Sequence, residues 1–290
     1  MVHDLFKNAL TRRYEATKSQ HPTEGRRRWR LRVLYELWPL LADNSVAKNG
    51  SFGAPTYDSD PDPSDPVLED GELGLIIRTD FSNDESWNTF LHRVQIAQKE
   101  LLSELTSGDA EEPTQNVENE EGTSMATDSE PSENAQEEDS DSSSESPDIV
   151  KILNPSHEAD RIKLKDISNI AALRLFNDVD IHCTPLPPPG TKRISPPNPL
   201  IDQGGWQEIY TGKHLWIYDT KSISDECVRL VSQQGDVYGT ASGDSWRARA
   251  SHICELQFSI SYHGLKIDFG GLDRWDWNER ERNLKECEIL

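Results

Sequence analysis

The stretch at 72–91, ELGLIIRTDFSNDESWNTFL, constrains the fold most strongly. An apolar run at 73–77 predicts a buried strand, and it ends in a polar corner at 78–80. A helix signal follows at once and extends to about residue 106. We name residues 72–107 the strand–corner–helix unit. A strand joined to a helix by a short turn is half of a βαβ unit, so the unit predicts a mixed sheet with covering helices.

The helix of this unit has its own start signal. Ser82 and Glu85 have the spacing of a capping box, in which the serine oxygen accepts a helix N–H and the glutamate reaches back. Asp84 adds negative charge at the positive end of the helix. Apolar residues then recur at helical spacing from Trp87 to Leu105, which predicts one buried face.

A strongly acidic segment follows the unit. Residues 108–148 contain fifteen Asp and Glu and no Lys or Arg. Ordering a backbone costs about 1–2 kcal/mol per residue, and this segment has almost no apolar surface to offset that cost, so we predict disorder. The apolar run at 149–153 predicts a further strand. Because loop closure depends weakly on length, we expect the insert to interrupt one domain spanning 72–271.

The chain before the unit divides in two. Residues 1–43 show helical periodicity, whereas 44–71 is rich in Asn, Ser, Gly, Pro and Asp and is predicted to be a linker. The helical part contains a basic cluster, with two interpretations that both remain open. It forms a nuclear-import or phosphate-binding patch, or it is a solvated helix face over neighbouring acidic surface. Its members are Arg26, Arg27, Arg28, Arg30 and Arg32.

The C-terminal half predicts mostly strands. The expected elements are a strand at 173–183, a hairpin at 206–219, a strand at 226–234, a second hairpin over 253–271 and a polar helix in 272–290. Together with the unit, they indicate a mixed α/β (α+β) fold. We expect a single central mixed sheet with flanking helices, interrupted by the acidic insert.

Charge and cysteine usage narrow the class of protein. The formal charge is −22, which disfavours general affinity for nucleic acid outside the basic cluster. The four cysteines form no CxxC pair, which favours free thiols in a reducing compartment. The apolar run at 37–42 is far shorter than the about 20 residues that span a bilayer. We expect a cytoplasmic protein, nuclear if the cluster acts in import, that is neither secreted nor in a membrane.

The first candidate for chemistry is the corner itself. Ligands of open α/β sheets bind beyond the carboxyl ends of strands, where helix N-termini point. Asp80 could act there as a general base or bind a metal, and Arg78 could hold an anion. The alternative is that Arg78 and Asp80 pair with each other or fix the turn. No glycine-rich phosphate loop is present, so no nucleotide cofactor is expected.

Two further constellations are weaker. The stretch at 239–246, GTASGDSW, places Ser245 among glycines, but the GxSxG pattern of a nucleophile turn is absent, and a flexible loop is favoured. The His/Cys pairs at 182–183 and 252/254 would supply four zinc ligands only if both pairs faced one point. Adjacent residues of a strand face opposite sides, so we expect no metal site and no cofactor.

A last cluster lies near the C-terminus. Arg274, Trp275 and Trp277 are of the residue types that anchor protein interfaces. A network that fixes the last helix to the domain is the other interpretation.

One short stretch resembles a known family. LIIRTDFSNDESWNTFL is similar to an uncharacterised domain family of bacteria and fungi whose members open with an apolar strand, an RTDFS corner and a helix with an early Trp. The strand and loop at 149–156 and the C-terminal part resemble fungal members more loosely. The resemblance implies a mixed α/β domain and supplies no activity and no catalytic residue. The matching residues are Leu75, Arg78, Thr79, Asp80, Phe81, Ser82, Asp84 and Trp87.

These observations favour a non-enzymatic protein-binding or regulatory module. The alternative is a hydrolase or nuclease-like enzyme that uses Arg78 and Asp80 together with the 239–246 loop. That enzyme requires Asp80 and Ser245 to meet in one concave pocket. A nucleic-acid binder acting through the basic cluster is the third hypothesis.

Overall fold

A computed structural model describes residues 3–42, 56–69, 71–107, 148–184, 190, 197–233, 244–267 and 276–290. The strands are β1 Gly74–Arg78, β2 Val150–Leu153, β3 Asp178–Cys183, β4 Trp206–Thr211, β5 His214–Tyr218, β6 Cys227–Ser232 and β7 Asp244–Arg249. The helices are α1 Asp4–Gln20, α2 Arg26–Ala42, α3 Asp65–Leu68, α4 Asp84–Ser107, α5 Glu158–Leu164, α6 Asn169–Phe176, α7 Ser222–Asp225, α8 Ile253–Tyr262 and α9 Trp277–Glu286.

A five-stranded mixed sheet organises the molecule, in the order β2-β1-β5-β6-β7. β1 pairs in parallel with β2 and β5, and the last two strands add in antiparallel fashion. α4 and α8 cover one face, where Ile76 and Trp216 lie, and α5 and α6 cover the face of Leu75 and Ile77. The predicted mixed α/β fold with flanking helices is therefore confirmed. The acidic insert at 108–147 lies outside the described residues.

A second layer lies beside this sheet. β3 and β4 form a separate two-stranded antiparallel sheet, which was not predicted. Its buried residues Val179 and Ile181 pack against α1 and α2 in one apolar cluster. α6 connects the two layers, because it covers the large sheet and also contacts β3 and α2.

The described part of the predicted linker is packed structure. Within 56–69, Tyr57 is buried against the N-terminal helices, and the aspartates of this segment face the basic cluster. Arg27 forms ion pairs with Asp62 and Asp65 at 2.8 and 2.9 Å. Arg26 pairs with Asp65 and Arg30 with Asp58, so this segment is held by charge.

The predicted hairpin at 206–219 is wrong. β4 and β5 are consecutive in the chain, but β4 pairs with β3 and β5 pairs with β1. Four consecutive β5 residues, 215–218, are fully buried, and such a strand needs cover on both faces. β5 therefore lies inside the large sheet, a position that β4 does not share.

Two more expectations at the level of elements are wrong. Residues 253–262 form helix α8 and no hairpin strand, because Ile253, Cys254 and Gln257 share one helical face that packs in the molecule. Residues 169–176 form α6, and only Asp178–Cys183 of the predicted strand is extended. Apolar residues in both segments fit a period of two and a helical period, and packing decided between them.

Candidate functional site

The carboxyl ends of β1 and β5 meet at the position where open α/β sheets bind ligands. The chain leaves β1 through α4 to reach β2 on one side, and β5 lies on the other side of β1. The strand order thus reverses between β1 and β5. Arg78 ends β1 and lies opposite Tyr218, the last residue of β5. The sequence-predicted corner therefore occupies the topological switch point of the sheet.

Arg78 is committed to holding this corner together. Its side chain is 2% exposed. The Nε group donates to the carbonyl oxygen of Asp80 at 2.9 Å, and Nη2 donates to the Asp84 carboxylate at 2.5 Å. The guanidinium also lies over the rings of Phe81 and Trp87, at 5.3 and 5.1 Å. These contacts tie the end of β1 to the first turn of α4.

Asp80 is an acceptor for the neighbouring turn. Its Oδ1 accepts from the N–H and the hydroxyl of Ser82, and its Oδ2 accepts from the Thr220 hydroxyl at 2.7 Å. Burial raises the pKa of Asp80, but hydrogen bonds from Ser82 and Thr220 outweigh burial and lower it below its ordinary value. A general base working at neutral pH needs a higher pKa. The geometry is that of a turn anchor joining β1 to β5.

The start of α4 differs from the predicted capping box. Ser82 donates to Asp80, and the cap is supplied by Asn83, whose Oδ1 accepts from the Ser86 N–H at 2.9 Å. The helix therefore begins one position later than the Ser82–Glu85 box requires, because Asp80 has already engaged the serine.

Charged groups beyond β5 form a second internal network. Asp219 accepts from Arg247 at 2.9 Å and lies 3.5 Å from Arg229. Burial raises the pKa of Asp219, but the hydrogen bond from Arg247 and the charge of Arg229 outweigh burial and lower it below its ordinary value. Arg229 also pairs with Glu279 of α9 at 3.1 Å. This network closes the last helix over the sheet.

The other predicted site residues lie elsewhere. Ser245 is in β7, opposite Val231 and at the level of Leu215. Three strand spacings of about 4.8 Å and three residues of about 3.3 Å place it roughly 17 Å from Arg78. Arg78 and Ser245 therefore do not line one pocket, and residues 239–243 of the predicted loop lie outside the described residues. Arg274 and Trp275 lie outside the described residues, and Trp277 begins α9 with 58% of its surface exposed.

A small cleft of about 190 Å³ adjoins the corner, between α4 and α7. Its apolar floor is Phe90 and Ile223, and the ion pair of Arg93 with Glu226 lies at its rim. Within the described ranges, no group of three or more His, Cys, Asp or Glu side chains is placed to hold a metal ion. All four cysteines are free thiols, and burial raises the pKa of Cys254 to about 12.

β7 is the last strand of the large sheet, and among the described strands it pairs only with β6. The Ala250 N–H donates to the Glu226 carbonyl of the segment entering β6. Backbone bonding alternates along an antiparallel pair, so Trp246 and Ala248 also bond towards β6. The N–H and C=O groups of Ser245, Arg247 and Arg249 must then point outward. No described residue pairs with that outer edge.

A groove of about 420 Å³ runs beside this edge, between β7 and α8. Its apolar lining includes Trp246, Leu256 and Leu265, and its polar lining includes Arg247, Arg249, His252 and Glu255. Leu265 is 42% exposed. We use the name β7 groove for two features together: this groove, and the outer backbone edge of residues 245–249 beside it.

Sequence reasoning missed the β7 groove because residues 239–246 were interpreted as a loop. The signal was present in 245–250, SWRARA, where polar and apolar residues alternate strictly. Alternation over six residues is the pattern of a half-buried strand. The glycines that precede this strand instead indicate a flexible loop with Ser245 as a candidate nucleophile.

Comparison with known proteins gives no relative: no family model matches the chain, and no curated protein or solved structure matches it. The resemblance over the RTDFS corner thus stays a prediction. None of the helices in the described ranges combines the length and apolar character needed to cross a bilayer.

Proposed function

We propose that this protein is a non-enzymatic protein-binding module that takes an extended segment of a partner onto the outer edge of β7. One observation carries the proposal: three residues of β7 point their backbone N–H and C=O groups outward beside a groove that is lined in part by Trp246, Leu256 and Leu265. An added strand satisfies these backbone groups, and its alternate side chains enter the groove.

The state of the corner supports binding over catalysis. Arg78 and Asp80 are engaged in contacts that join β1 to α4 and β5, and the pKa of Asp80 is lowered. A catalytic group needs a free position next to substrate and a suitable pKa. At the β7 groove, by contrast, no described residue pairs with the outward backbone groups of Ser245, Arg247 and Arg249.

The choice of edge has a physical reason as well. β2, at the other end of the sheet, has only four residues, and the side-chain amine of one of them, Lys151, donates to the Pro66 carbonyl. β7 has six residues and a groove along one side. A longer strand offers more backbone bonds to an added strand.

The first measurement is hydrogen exchange of backbone amides in the free full-length protein, followed by NMR. Amides of Arg247 and Arg249 should exchange faster than those of Trp246 and Ala248, because only the latter bond to β6. Strong protection of the outward amides in the free protein would mean that the edge is already paired, which would overturn the proposal.

The second measurement uses a display library of random twelve-residue peptides. Arg249 has φ of −68°, which suits proline. Peptides selected on the wild-type protein should keep most of their affinity for Arg249→Ala and lose about tenfold or more for Arg249→Pro, because only proline removes the outward N–H. Equal losses in both variants, or a library without any binder that separates them, would refute strand addition. Unfolding curves of both variants provide the control for folding.

A further inference from the structure

Resting on the proposed function, we infer the chemistry of the partner: a strand with one acidic side chain opposite Arg249 and apolar side chains at the alternating positions that face the groove. Strand addition alone fixes no sequence, because backbone bonds are the same for every residue. The side chains on the two faces of β7 differ in chemistry, and we expect them to determine which partner sequences bind.

The groove face of β7 is apolar. Trp246 and Ala248 point to the side of α4 and α8, where they belong to the apolar cluster of that layer. Residues of an added strand that lie opposite them point to the same side. There they meet Leu256 and Leu265 across the groove. Apolar side chains at these positions bury surface against Trp246, Leu256 and Leu265.

The other face carries charge. Arg247 is already neutralised, since it pairs with Asp219 at 2.9 Å and with Asp225 at 2.7 Å. Arg249 is exposed, and its side chain makes no ion pair or hydrogen bond with a described residue. A carboxylate directly opposite Arg249 therefore gains a cross-strand ion pair, whereas one opposite Arg247 meets two carboxylates that are already there.

A second copy of this chain fits the edge poorly. Outward backbone groups of one antiparallel strand must meet outward groups of the other, so Ser245, Arg247 and Arg249 can pair only among themselves. The twofold register with the largest overlap sets Arg247 opposite Arg247 of the second copy. Like charges directly opposite each other destabilise a pair of strands. With a formal charge of −22 on each chain, self-association is opposed at long range as well.

The same overall charge limits the acidity of the partner. A run of acidic residues would be repelled by the chain as a whole, so a single acidic side chain, placed opposite Arg249, is the expected feature. If the partner strand is antiparallel, its residues opposite 249, 248, 247 and 246 of β7 are expected to be acidic, apolar, polar and apolar, in that order from its N-terminal side. Parallel addition requires the reverse order.

The test uses a ten-residue peptide library with Val fixed at every second position and the others randomised. It is screened on the full-length wild type and on Arg249→Glu and Arg249→Ala. We expect one variable position to select Asp or Glu on the wild type, Lys or Arg on Arg249→Glu, and no charge on Arg249→Ala. An acidic peptide should bind Arg249→Glu about three- to tenfold more weakly than the wild type. A matched library with Ser in place of the fixed Val should yield no binders.

The outcomes separate the two proposals. Binders that are lost with Arg249→Pro but show no charge preference would overturn the inferred partner chemistry and leave strand addition standing. Binders from the Ser library of equal affinity would likewise refute the apolar half of the inference. A screen in which Arg249→Pro changes no binder refutes strand addition itself. Concentration-independent sedimentation of the free protein is expected, and dimer formation that Arg249→Pro abolishes would instead identify a second copy as the occupant.

Discussion

The switch-point corner and the β7 groove use polar groups in opposite ways. At the corner, Arg78 and Asp80 are charged residues in a position typical of ligand sites, yet each binds elements of its own chain. At β7, the polar groups are mostly backbone, and they face outward. The corner holds β1, α4 and β5 together, while the outward backbone groups of β7 bond to no strand in the part of the chain that the structure describes.

This difference teaches that residue type alone is a poor guide to an available site. A buried guanidinium needs several hydrogen-bond acceptors, and the folded chain itself supplies them. Charged residues that look like ligand-binding groups in the sequence are then not available to a ligand. Outward backbone groups have no residue signature, and only strand periodicity reveals them.

The largest expected effect comes from a comparison of one arginine from each region. Arg78→Ala should cost about 2–4 kcal/mol of stability, because it removes charged hydrogen bonds and the packing over Phe81 and Trp87. Arg249→Ala should change stability by less than about 0.5 kcal/mol, as is usual for exposed side chains. Arg78→Lys keeps the charge without the forked geometry, and an intermediate loss in urea unfolding is expected. If Arg78→Ala unfolds like the wild type, the corner is not closed by its arginine.

A second prediction tests which backbone groups of β7 face outward. Ala248→Pro should lower the free energy of unfolding by about 1–3 kcal/mol, because it removes a hydrogen bond to β6 and leaves a backbone carbonyl of β6 without its donor. Arg249→Pro should leave stability unchanged or raise it by about 0.4–1 kcal/mol, because φ there already suits proline. Urea unfolding of both variants measures the contrast. Similar losses for the two variants would show that Arg249 also bonds to β6, which would remove the distinction between corner and groove.

The smallest effect is a pH dependence confined to the paired carboxylates. The pKa of Asp219 in the folded protein lies below its ordinary value, so its contribution to stability is present above about pH 4 and is lost as pH falls through the folded pKa. Asp219→Asn should therefore show a smaller loss of stability between pH 7 and pH 3 than the wild type does. Asp160→Asn, at an exposed surface pair, serves as the control and should follow the wild type. Identical acid profiles for the wild type and Asp219→Asn would contradict the assignment.

Much of the large sheet could be predicted from the sequence. β1, β2 and β6 are short apolar runs bounded by polar residues, and α9 follows a clear polar start at Asp276. Local patterns of this kind are sufficient where one period dominates. They fail at 253–262, where alternation and helical spacing coexist and only packing against α4 decides.

Partner choice between distant segments could not be predicted. The basic cluster was interpreted either as a ligand patch or as a face over acidic surface, and the structure places Arg26, Arg27 and Arg30 against aspartates. One of those aspartates, Asp178, lies about 150 residues further along the chain. No local sequence pattern predicts a contact between residues that are so far apart in the chain. The same limit explains why β4 and β5 were joined in one hairpin.

The position of β1 has a consequence for how the molecule assembles. β1 is synthesised before both of its neighbours in the sheet, since Gly74 pairs with Val150 on one side and with His214 on the other. Each contact closes a long loop, and such non-local pairing slows folding. More than a hundred further residues must therefore be synthesised before both edges of this apolar strand can pair. During that interval the unpaired edges of this apolar strand make the nascent chain prone to aggregation.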